Sequence, residues 1–239
     1  MSVKLRTAML MAAGLGKRMR PLTATRPKPL VKVAGRALID HALARLEAGG
    51  IETVVVNVHY LADTVEAHLR ARKSPMNILI SDEREALLET GGGLIKAAPL
   101  LGEEPFLCAN SDNLWIDGPR DSIATLSALW DDDRMDALLL LVPHARATCH
   151  TGPGDFHMDA TGRIRRRKPG HVAPFVFTGV QILSPRLLKD PPGAAFSTNI
   201  FWDRAIAQGR LYGVSHQGLW FDVGTPQAIP VVEDMFVHG

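Results

Sequence analysis

The sequence predicts an α/β protein built around a doubly wound, mostly parallel sheet. Short β-branched runs alternate with segments whose apolar residues recur at helical spacing, a pattern typical of βαβ units. The chain has 239 residues, of which 46% are hydrophobic, so it is long enough to bury one sizeable core. No internal repeat interrupts the alternation. We therefore expect a single domain over residues 1–239, with helices on both faces of the sheet.

The first half of the chain supplies the alternating elements. Apolar residues at Leu38, Leu43 and Leu46 share one helical face, and the pair Gly49-Gly50 ends that helix. Runs such as 53–58 are mostly apolar and rich in valine, which indicates buried strands. The predicted strands are 7–13, 53–58, 77–80, 106–109 and 137–142, and the predicted helices are 38–46, 63–70, 90–100 and 123–130.

The alternation stops after Pro143. The following segment holds four of the nine histidines and the basic run 163–168, without long apolar periodicity, so we expect an excursion from the sheet. Inside it, residues 156–158 and 163–165 flank a turn sequence at 159–162 and predict a hairpin. Beyond it we predict a strand at 175–183, a helix at 200–208 and a strand at 219–223.

Charge and composition exclude several classes of function. The formal net charge is +2, from 27 basic and 25 acidic residues, which gives little field to attract nucleic acid. Two cysteines, Cys108 and Cys149, are too few for a disulfide framework and lack zinc-site spacing. No apolar stretch approaches the roughly 20 residues that cross a bilayer. We expect a cytoplasmic protein without a membrane or nucleic-acid partner.

The glycine-rich loop after the first predicted strand is the sharpest functional signal. It contains Gly14, Gly16, Lys17 and Arg18 at the carboxyl end of the strand, where parallel sheets bind ligands. Glycines let the backbone approach phosphate closely, and successive N–H groups can form an anion-binding concavity. The spacing matches neither the dinucleotide fingerprint nor the Walker loop. We predict a triphosphate site of another kind.

Two cations accompany this loop. Arg18 offers a planar fork of donors that can bridge phosphate oxygens. Lys28 lies between Pro27 and Pro29, which restrict the backbone and so aim its ammonium group. Each residue alone could be a solvated surface charge. The combination of strand end, glycine loop and proline-flanked lysine favours a role for both in binding phosphate.

Two aspartates are candidate ligands for Mg²⁺. Asp112 follows the apolar run 106–109, and Asp222 lies in the apolar sequence 219–223 beside a turn. Mg²⁺ commonly takes one or two protein carboxylates and completes its octahedron with water and substrate phosphates. The alternatives are a turn or helix cap for Asp112 and a buried, hydrogen-bonded acid for Asp222.

The glycines at 91–93 open a predicted helix. Backbone donors at a helix amino terminus, together with the helix dipole, attract a ligand in the adjoining cleft, so we expect the donors of this turn to face the cleft. The alternative is a flexible turn. Histidines 144, 150, 157 and 171 show no metal-ligand spacing.

The opening segment, AAGLGKRMRPLT followed by PKPL, resembles the nucleoside-diphosphate-sugar pyrophosphorylase family. The sequences NSD at 110–112 and WFDVGTP at 220–226 are similar to that family's metal motifs, although Ser111 replaces the usual glycine and adds a side chain beside the site. The resemblance covers nearly the whole chain. It implies a nucleotide-diphospho-sugar transferase fold, a three-layer sandwich with a nucleotide-binding part at about 1–115 and a sugar-binding part at about 116–225.

The resemblance also implies roles for particular residues. Arg18 and Lys28 would be catalytic, and Asp112 and Asp222 would hold Mg²⁺. The remaining implied contacts lie in two groups. Nucleotide would contact Ala13, Gly14, Gly16, Lys17, Thr90, Gly91 and Gly92, besides the two cations, and the sugar would contact Asn113, Asp155 and Gly179. Lys168 resembles a second phosphate-binding lysine of other members, but a solvated basic strand explains it equally simply.

Within the family, LLETGGGLIKAAPLLG, Gly154-Asp155-Phe156 and Phe177-Thr178-Gly179 resemble the N-acetylmuramate-1-phosphate uridylyltransferase branch. That resemblance implies a monomer or weak dimer that converts UTP and a sugar-1-phosphate to a UDP-sugar and pyrophosphate in peptidoglycan recycling. Phosphocholine cytidylyl transfer and glucose-1-phosphate thymidylyl transfer remain alternatives, as does a catalytically silent sensor of sugar nucleotides. The sequence leaves the sugar, the nucleotide preference, the oligomeric state and the role of residues 144–171 open.

Overall fold

A computed structural model describes the backbone of residues 3–238 and the side chains of residues 3–236. The strands are β1 (Thr7–Met11), β2 (Lys32–Val33), β3 (Arg36–Ala37), β4 (Thr53–Val58), β5 (Asn77–Asp82), β6 (Phe106–Asn110), β7 (Asn113–Ile116), β8 (Ala137–Pro143), β9 (Ala147–Thr148), β10 (Phe156–Met158), β11 (Ile164–Arg166), β12 (Phe175–Leu183), β13 (Leu211–Ser215) and β14 (Leu219–Asp222). The helices are α1 (Leu38–Ala48), α2 (Ala62–Ala71), α3 (Glu89–Leu101), α4 (Ser122–Leu129), α5 (Asn199–Ala207) and α6 (Ala228–His238).

A mixed sheet forms the centre of the molecule. Its parallel part runs β5-β4-β1-β6, and β12 continues it antiparallel to β6. Strand β8 pairs with the far edge of β12, β13 pairs parallel to β8, and the β10-β11 hairpin adds to the start of β12. This order brings the carboxyl ends of β1 and β6 side by side, so the loops that follow them share one edge of the sheet.

Helices cover both faces of this sheet, as the periodicity predicted. Along β1, Ala8 and Leu10 face one buried cluster and Met9 faces the other, because side chains alternate across a strand. Helices α1, α2 and α4 contribute to the first cluster, and α3 and α5 contribute to the second. The result is a three-layer α/β sandwich, so the predicted fold class is confirmed.

A second, three-stranded sheet stands at the edge where ligands are expected. Its order is β7-β14-β9, with β14 antiparallel to β7 and parallel to β9. Beneath it lies a smaller apolar cluster that includes Met19, Leu114, Phe221 and Val232. Met19, in the loop after β1, therefore packs with residues of β7 and β14 that come more than ninety positions later in the chain. Of the two predicted metal ligands, Asp112 immediately precedes β7 and Asp222 ends β14.

Sequence periodicity found most of the long elements and missed α6 and the short strands. The predictions at 53–58 and 175–183 match β4 and β12 residue for residue. No prediction was made for β7, β9, β13 or α6. Strands of two to five residues are too short to show a period. Within residues 3–238, no helix combines the length and apolarity needed to cross a bilayer.

Candidate active site

The glycine-rich loop is held in one conformation by local packing. Gly16 has φ +60°, a left-handed value that favours glycine. A Cβ built on Gly16 would lie 3.0 Å from the Cβ of Lys28 and 3.0 Å from the Cγ2 of Thr23. The hydroxyl of the buried Thr23 donates to the Gly16 carbonyl at 2.8 Å. Gly16 thus allows the loop to lie directly against the segment that carries Lys28.

Lys28 and Asp112 meet across this loop. The ammonium Nζ of Lys28 lies 2.5 Å from the Oδ2 of Asp112, and the two side chains are 11% and 32% exposed. Pro27 is extended and leads into a short 3₁₀ turn at Lys28–Leu30, which directs the lysine inward. The structure therefore brings together two predicted site residues that are 84 positions apart in sequence.

Strand pairing brings Asp222 to the same place. In the β7-β14 ladder Asp222 is the register partner of Asn113, the residue that follows Asp112. A Cβ built on Gly224 would lie 2.9 Å from the Oδ1 of Asp222 and 3.1 Å from the Nη1 of Arg18. Arg18 thus lies near Asp222 without forming an ion pair with it, whereas Lys28 forms an ion pair with Asp112. The two predicted cations and the two predicted acids surround one site.

The residues at this site fit a hard divalent cation in the way expected for Mg²⁺. Oxygen ligands are the preferred donors, and Asp112 and Asp222 each supply a partly exposed carboxylate. Among the described residues, no group of three or more His, Cys, Asp or Glu side chains could hold a metal ion unaided. A cation here would therefore need substrate phosphates and water to complete its coordination, as Mg²⁺ commonly does.

A cavity of about 390 Å³ extends from this site across the carboxyl ends of the strands. Ala13, Gly14, Lys28 and Asp112 line one end, and Asn57, Glu83, Glu89, Thr90 and Ser197 are among the residues that line the rest. The volume falls within the range of small-molecule sites. Among the described residues that line the cavity, Lys28 is the one cation, which favours an anionic ligand near Lys28.

Asn57 and Glu83 are site residues that sequence reasoning missed. The Asn57 amide accepts from the Ala12 backbone N–H at 2.7 Å and donates to the Oε1 of Glu83 at 2.8 Å. Glu83 is fully buried, and its Oε2 has no hydrogen-bond partner among the described residues. Burial raises the pKa of Glu83 above its ordinary value. A polar residue at the end of each of two adjacent parallel strands, β4 and β5, was the available signal.

The glycine-rich start of α3 departs from expectation. The N–H groups of Gly91 and Gly92 both donate to the Phe196 carbonyl, at 2.7 and 3.2 Å. A Cβ built on Gly92 would lie 2.1 Å from the Ala194 carbonyl oxygen. The expectation that these two donors face the cleft is therefore wrong, because the segment before α5 packs against them. The glycines permit that close approach, while Thr90 lines the cavity.

Two of the predicted sugar-binding residues lie against each other. Gly179 has φ +85°, and a Cβ built on it would lie 2.2 Å from the Nδ2 of Asn113. That amide donates to the Thr178 carbonyl at 2.9 Å. The register of β12 against β8 shifts between Phe177 and Gln181, so the strand is irregular at this point. Gly179 therefore adjoins Asn113, the residue that follows Asp112 in sequence.

The remaining predicted residues are more peripheral. Asp155 is exposed, and its Oδ2 accepts from the Phe177 backbone N–H at 2.9 Å. One of its two carboxylate oxygens is therefore engaged in a hydrogen bond within the protein. Lys17 and Lys168 are exposed. Ser111 is buried, with its hydroxyl donating to the Met11 carbonyl at 2.7 Å. The added side chain is thereby fixed in the cavity wall.

This fold and this site define a class of protein. The sequence matches the Nucleotidyl transferase family over residues 7–235. The chain therefore belongs to the nucleotidyl transferase family, and the resemblance seen in its opening motif is confirmed.

Curated relatives narrow the comparison. The chain is 49% identical over 231 residues to an N-acetylmuramate alpha-1-phosphate uridylyltransferase of Caulobacter vibrioides, covering 95% of this chain and 96% of the relative. It is 37% identical over 220 residues to the protein of that name from Neisseria meningitidis, covering 91% and 93%. Among solved structures, a UDP-glucose pyrophosphorylase complexed with UDP-glucose superposes with a TM-score of 0.80 at 15% identity, covering 98% of this chain and 99% of that one.

Proposed function

We propose that this protein transfers the uridylyl group of UTP to N-acetylmuramate 1-phosphate, giving the UDP-sugar and pyrophosphate. The observation that carries the proposal is the β7-β14 register, which puts Asp222 opposite Asn113, the neighbour of Asp112, while Asp112 itself lines the cavity. The 49% identity to a uridylyltransferase over almost the whole of both chains supports the choice of substrates. The protein would act in the cytoplasm, in the recycling of peptidoglycan sugars.

The two parts of the domain would divide the substrates between them. Residues at about 1–115 would bind UTP, with the triphosphate on the Gly14–Gly16 loop and the uracil near Thr90 and Glu83. Residues at about 116–225 would bind the sugar, with Gly179 and Asn113 closest to its phosphate and Asp155 farther out. The Oδ1 of Asp155 would accept from a sugar hydroxyl.

The reaction needs no protein nucleophile. An oxygen of the sugar phosphate attacks the α-phosphorus of UTP and forms a new P–O bond. The bond from the α-phosphorus to the bridging oxygen breaks, and its electron pair leaves with pyrophosphate. Lys28 and Arg18 would stabilise the negative charge of the triphosphate and of the departing pyrophosphate. Positioning and charge stabilisation thus account for the rate.

Asp112 and Asp222 would hold Mg²⁺ at this site. When bound, Mg²⁺ would neutralise phosphate charge and help align the two substrates. The two carboxylates would hold the cation, and Lys28, which pairs with Asp112, would lie on the nucleotide side of the site. This arrangement lets two polyanions approach despite their mutual repulsion.

The test is pyrophosphate release with each of four nucleoside triphosphates against four acceptors. The acceptors are N-acetylmuramate 1-phosphate, glucose 1-phosphate, mannose 1-phosphate and phosphocholine. We expect UTP with N-acetylmuramate 1-phosphate to give the highest kcat/KM, with activity lost in EDTA and restored by Mg²⁺. An Asp112→Asn variant should be inactive, whereas Glu52→Gln, a change in an exposed acid paired with Lys4, should not matter. A different preferred pair would overturn the substrate assignment.

A further inference from the structure

His150 lies beside the carboxylate of Asp222. Its Nδ1 is 3.5 Å from the Oδ2 of Asp222, and the side chains are 17% and 24% exposed. The Oδ1 of Asp222 lies on the other side, toward Gly224 and Arg18. The two oxygens of this acid therefore face different partners, one toward the imidazole and one toward the loop after β1.

The backbone delivers His150 to this position. Strand β9 pairs parallel to β14, with Ala147 opposite Trp220 and Thr148 opposite Phe221. The next residue, Cys149, has φ +64°, a value uncommon for a residue with a side chain. Burial, and next the charge of Asp222, raise the pKa of Cys149. The strand thus turns sharply at the level of Asp222 and presents His150 to it.

Packing fixes the ring of His150. The ring centroid lies 6.2 Å from that of Trp220 and 6.0 Å from that of His144, the latter pair at an interplanar angle of 88°. A Cβ built on Gly152 would lie 2.7 Å from the Nε2 of His150. The Nε2 atom is buried and has no hydrogen-bond partner among residues 3–236. Nδ1 has a carboxylate oxygen at ion-pair distance and Nε2 has no acceptor among the described residues, so the arrangement favours the Nδ1–H tautomer.

We propose that His150 is a positioning residue for Asp222. By directing its Nδ1–H at Oδ2, His150 orients the carboxylate so that Oδ1 points to the cation site. This proposal rests on the proposed function, since it assigns His150 to the same metal site. Residues that hydrogen-bond to a metal ligand fix the ligand's orientation, and their removal commonly lowers metal affinity by about 10- to 100-fold.

The experiment compares three variants by Mn²⁺ binding and by kinetics. His150→Phe keeps a ring and removes the donor, His150→Asn keeps an N–H near the position of Nδ1, and His171→Phe makes the same change at an exposed histidine of the same segment. Electron paramagnetic resonance measures free Mn²⁺ in titrations of each protein with a nonhydrolysable α,β-methylene analogue of UTP. Metal titrations of pyrophosphate release give the half-saturating Mg²⁺ concentration and kcat.

For His150→Phe we expect about tenfold weaker Mn²⁺ binding and a similar rise in half-saturating Mg²⁺, with kcat at saturating metal little changed. His150→Asn and His171→Phe should bind Mn²⁺ as the unaltered protein does. Unchanged binding by His150→Phe would overturn the proposal, and so would an equal loss in His150→Asn, which would show that only ring packing matters. His150→Ala replaces His150→Phe if the larger ring prevents folding.

The Mn²⁺-binding measurements and the kinetic measurements together test this inference separately from the proposed function. If no acceptor supports turnover but His150→Phe still weakens Mn²⁺ binding, then the substrate assignment fails and the positioning role stands. If the protein catalyses uridylyl transfer, and neither Mn²⁺ binding nor the half-saturating Mg²⁺ concentration changes in His150→Phe, then only the positioning role fails. Absence of Mn²⁺ binding by the unaltered protein would overturn the role together with the metal site.

Discussion

The ammonium of Lys28 lies 2.5 Å from the carboxylate of Asp112, so a proposed phosphate-binding cation neutralises a proposed metal ligand. Neither side chain is fully exposed, which limits the screening of this pair by water. A divalent cation and Lys28 therefore compete for the same oxygen when no nucleotide is present. Bound triphosphate would offer Lys28 a second anionic partner and free Asp112 for the metal.

The first prediction follows from this competition. Lys28→Ala should raise the affinity for Mn²⁺ in the absence of nucleotide by about fivefold or more, the low end of typical coupling between two sites. The same change should lower turnover by about a hundredfold, because one charge-stabilising group is lost. Mn²⁺ titration followed by electron paramagnetic resonance measures the first effect. The matched control is Lys73→Ala, at an exposed lysine between α2 and β5; equal or weaker Mn²⁺ binding by Lys28→Ala would argue against the competition.

Arg18 should matter for turnover and not for stability. Its side chain is exposed and forms no hydrogen bond or ion pair within the described part of the chain, so Arg18→Ala should leave the melting temperature within about 1 °C, as expected for an exposed residue without partners. Turnover should fall by about a hundredfold. Pyrophosphate release and thermal unfolding measure the two effects. Arg26→Ala, at another exposed arginine of the same loop, serves as the control, and near-normal turnover by Arg18→Ala would refute its role.

Gly179→Ala tests the contact between Gly179 and Asn113. The new Cβ would lie 2.2 Å from the Nδ2 of Asn113 and would also occupy φ +85°. We expect a loss of about 1–3 kcal/mol in the free energy of unfolding from backbone strain and a fall in kcat of about a hundredfold from displacement of the site.

The matched control for this change is Gly170→Ala. Gly170 has φ +76°, and no atom lies within 4 Å of a Cβ built there. It therefore reproduces the backbone strain without the clash. Urea unfolding should show a larger loss of stability in Gly179→Ala than in Gly170→Ala, because only Gly179→Ala adds the clash, and pyrophosphate release should show a loss of turnover only in Gly179→Ala. Equal turnover in both would contradict the placement of Gly179 in the site.

Glu83 should make stability depend on pH. Burial raises its pKa in the folded protein above the ordinary value of 4.5, so at a pH between the unfolded and folded pKa values the folded state holds a proton that the unfolded state has lost. The free energy of unfolding should therefore fall as the pH rises through the folded pKa. Glu83→Gln keeps an acceptor for the Asn57 amide and removes this ionisation.

Urea unfolding at pH 5 and at pH 8 measures this effect. Between these two values Glu83→Gln should gain stability relative to the unaltered protein, because the contribution of Glu83 to the pH slope disappears. Glu104→Gln, which alters an exposed acid, should follow the unaltered protein at both values. The same slope in Glu83→Gln as in the unaltered protein would contradict a raised pKa of Glu83.

The long elements of the fold were readable because their signal is local. The mostly apolar run at 53–58 indicates a strand, and the apolar face from Leu38 to Leu46 indicates a helix. Each signal lies within a single short window of sequence. Strand β7 covers four residues and β9 covers two, and their stability comes from pairing with β14, which is distant in sequence. Pairing of that kind leaves no period to detect.

The sequence alone determined the chemistry of the site: glycines after the first strand, a proline-flanked lysine, an arginine, and two acids at the ends of apolar runs. These features depend on neighbouring residues, so local spacing reveals them. Only the tertiary structure decided which groups meet. The β7-β14 register puts Asp222 opposite the neighbour of Asp112. The Phe196 carbonyl accepts hydrogen bonds from the N–H groups of Gly91 and Gly92. The turn at Cys149 brings His150 next to Asp222. Such contacts arise when distant segments bury apolar surface together, and no local spacing encodes them.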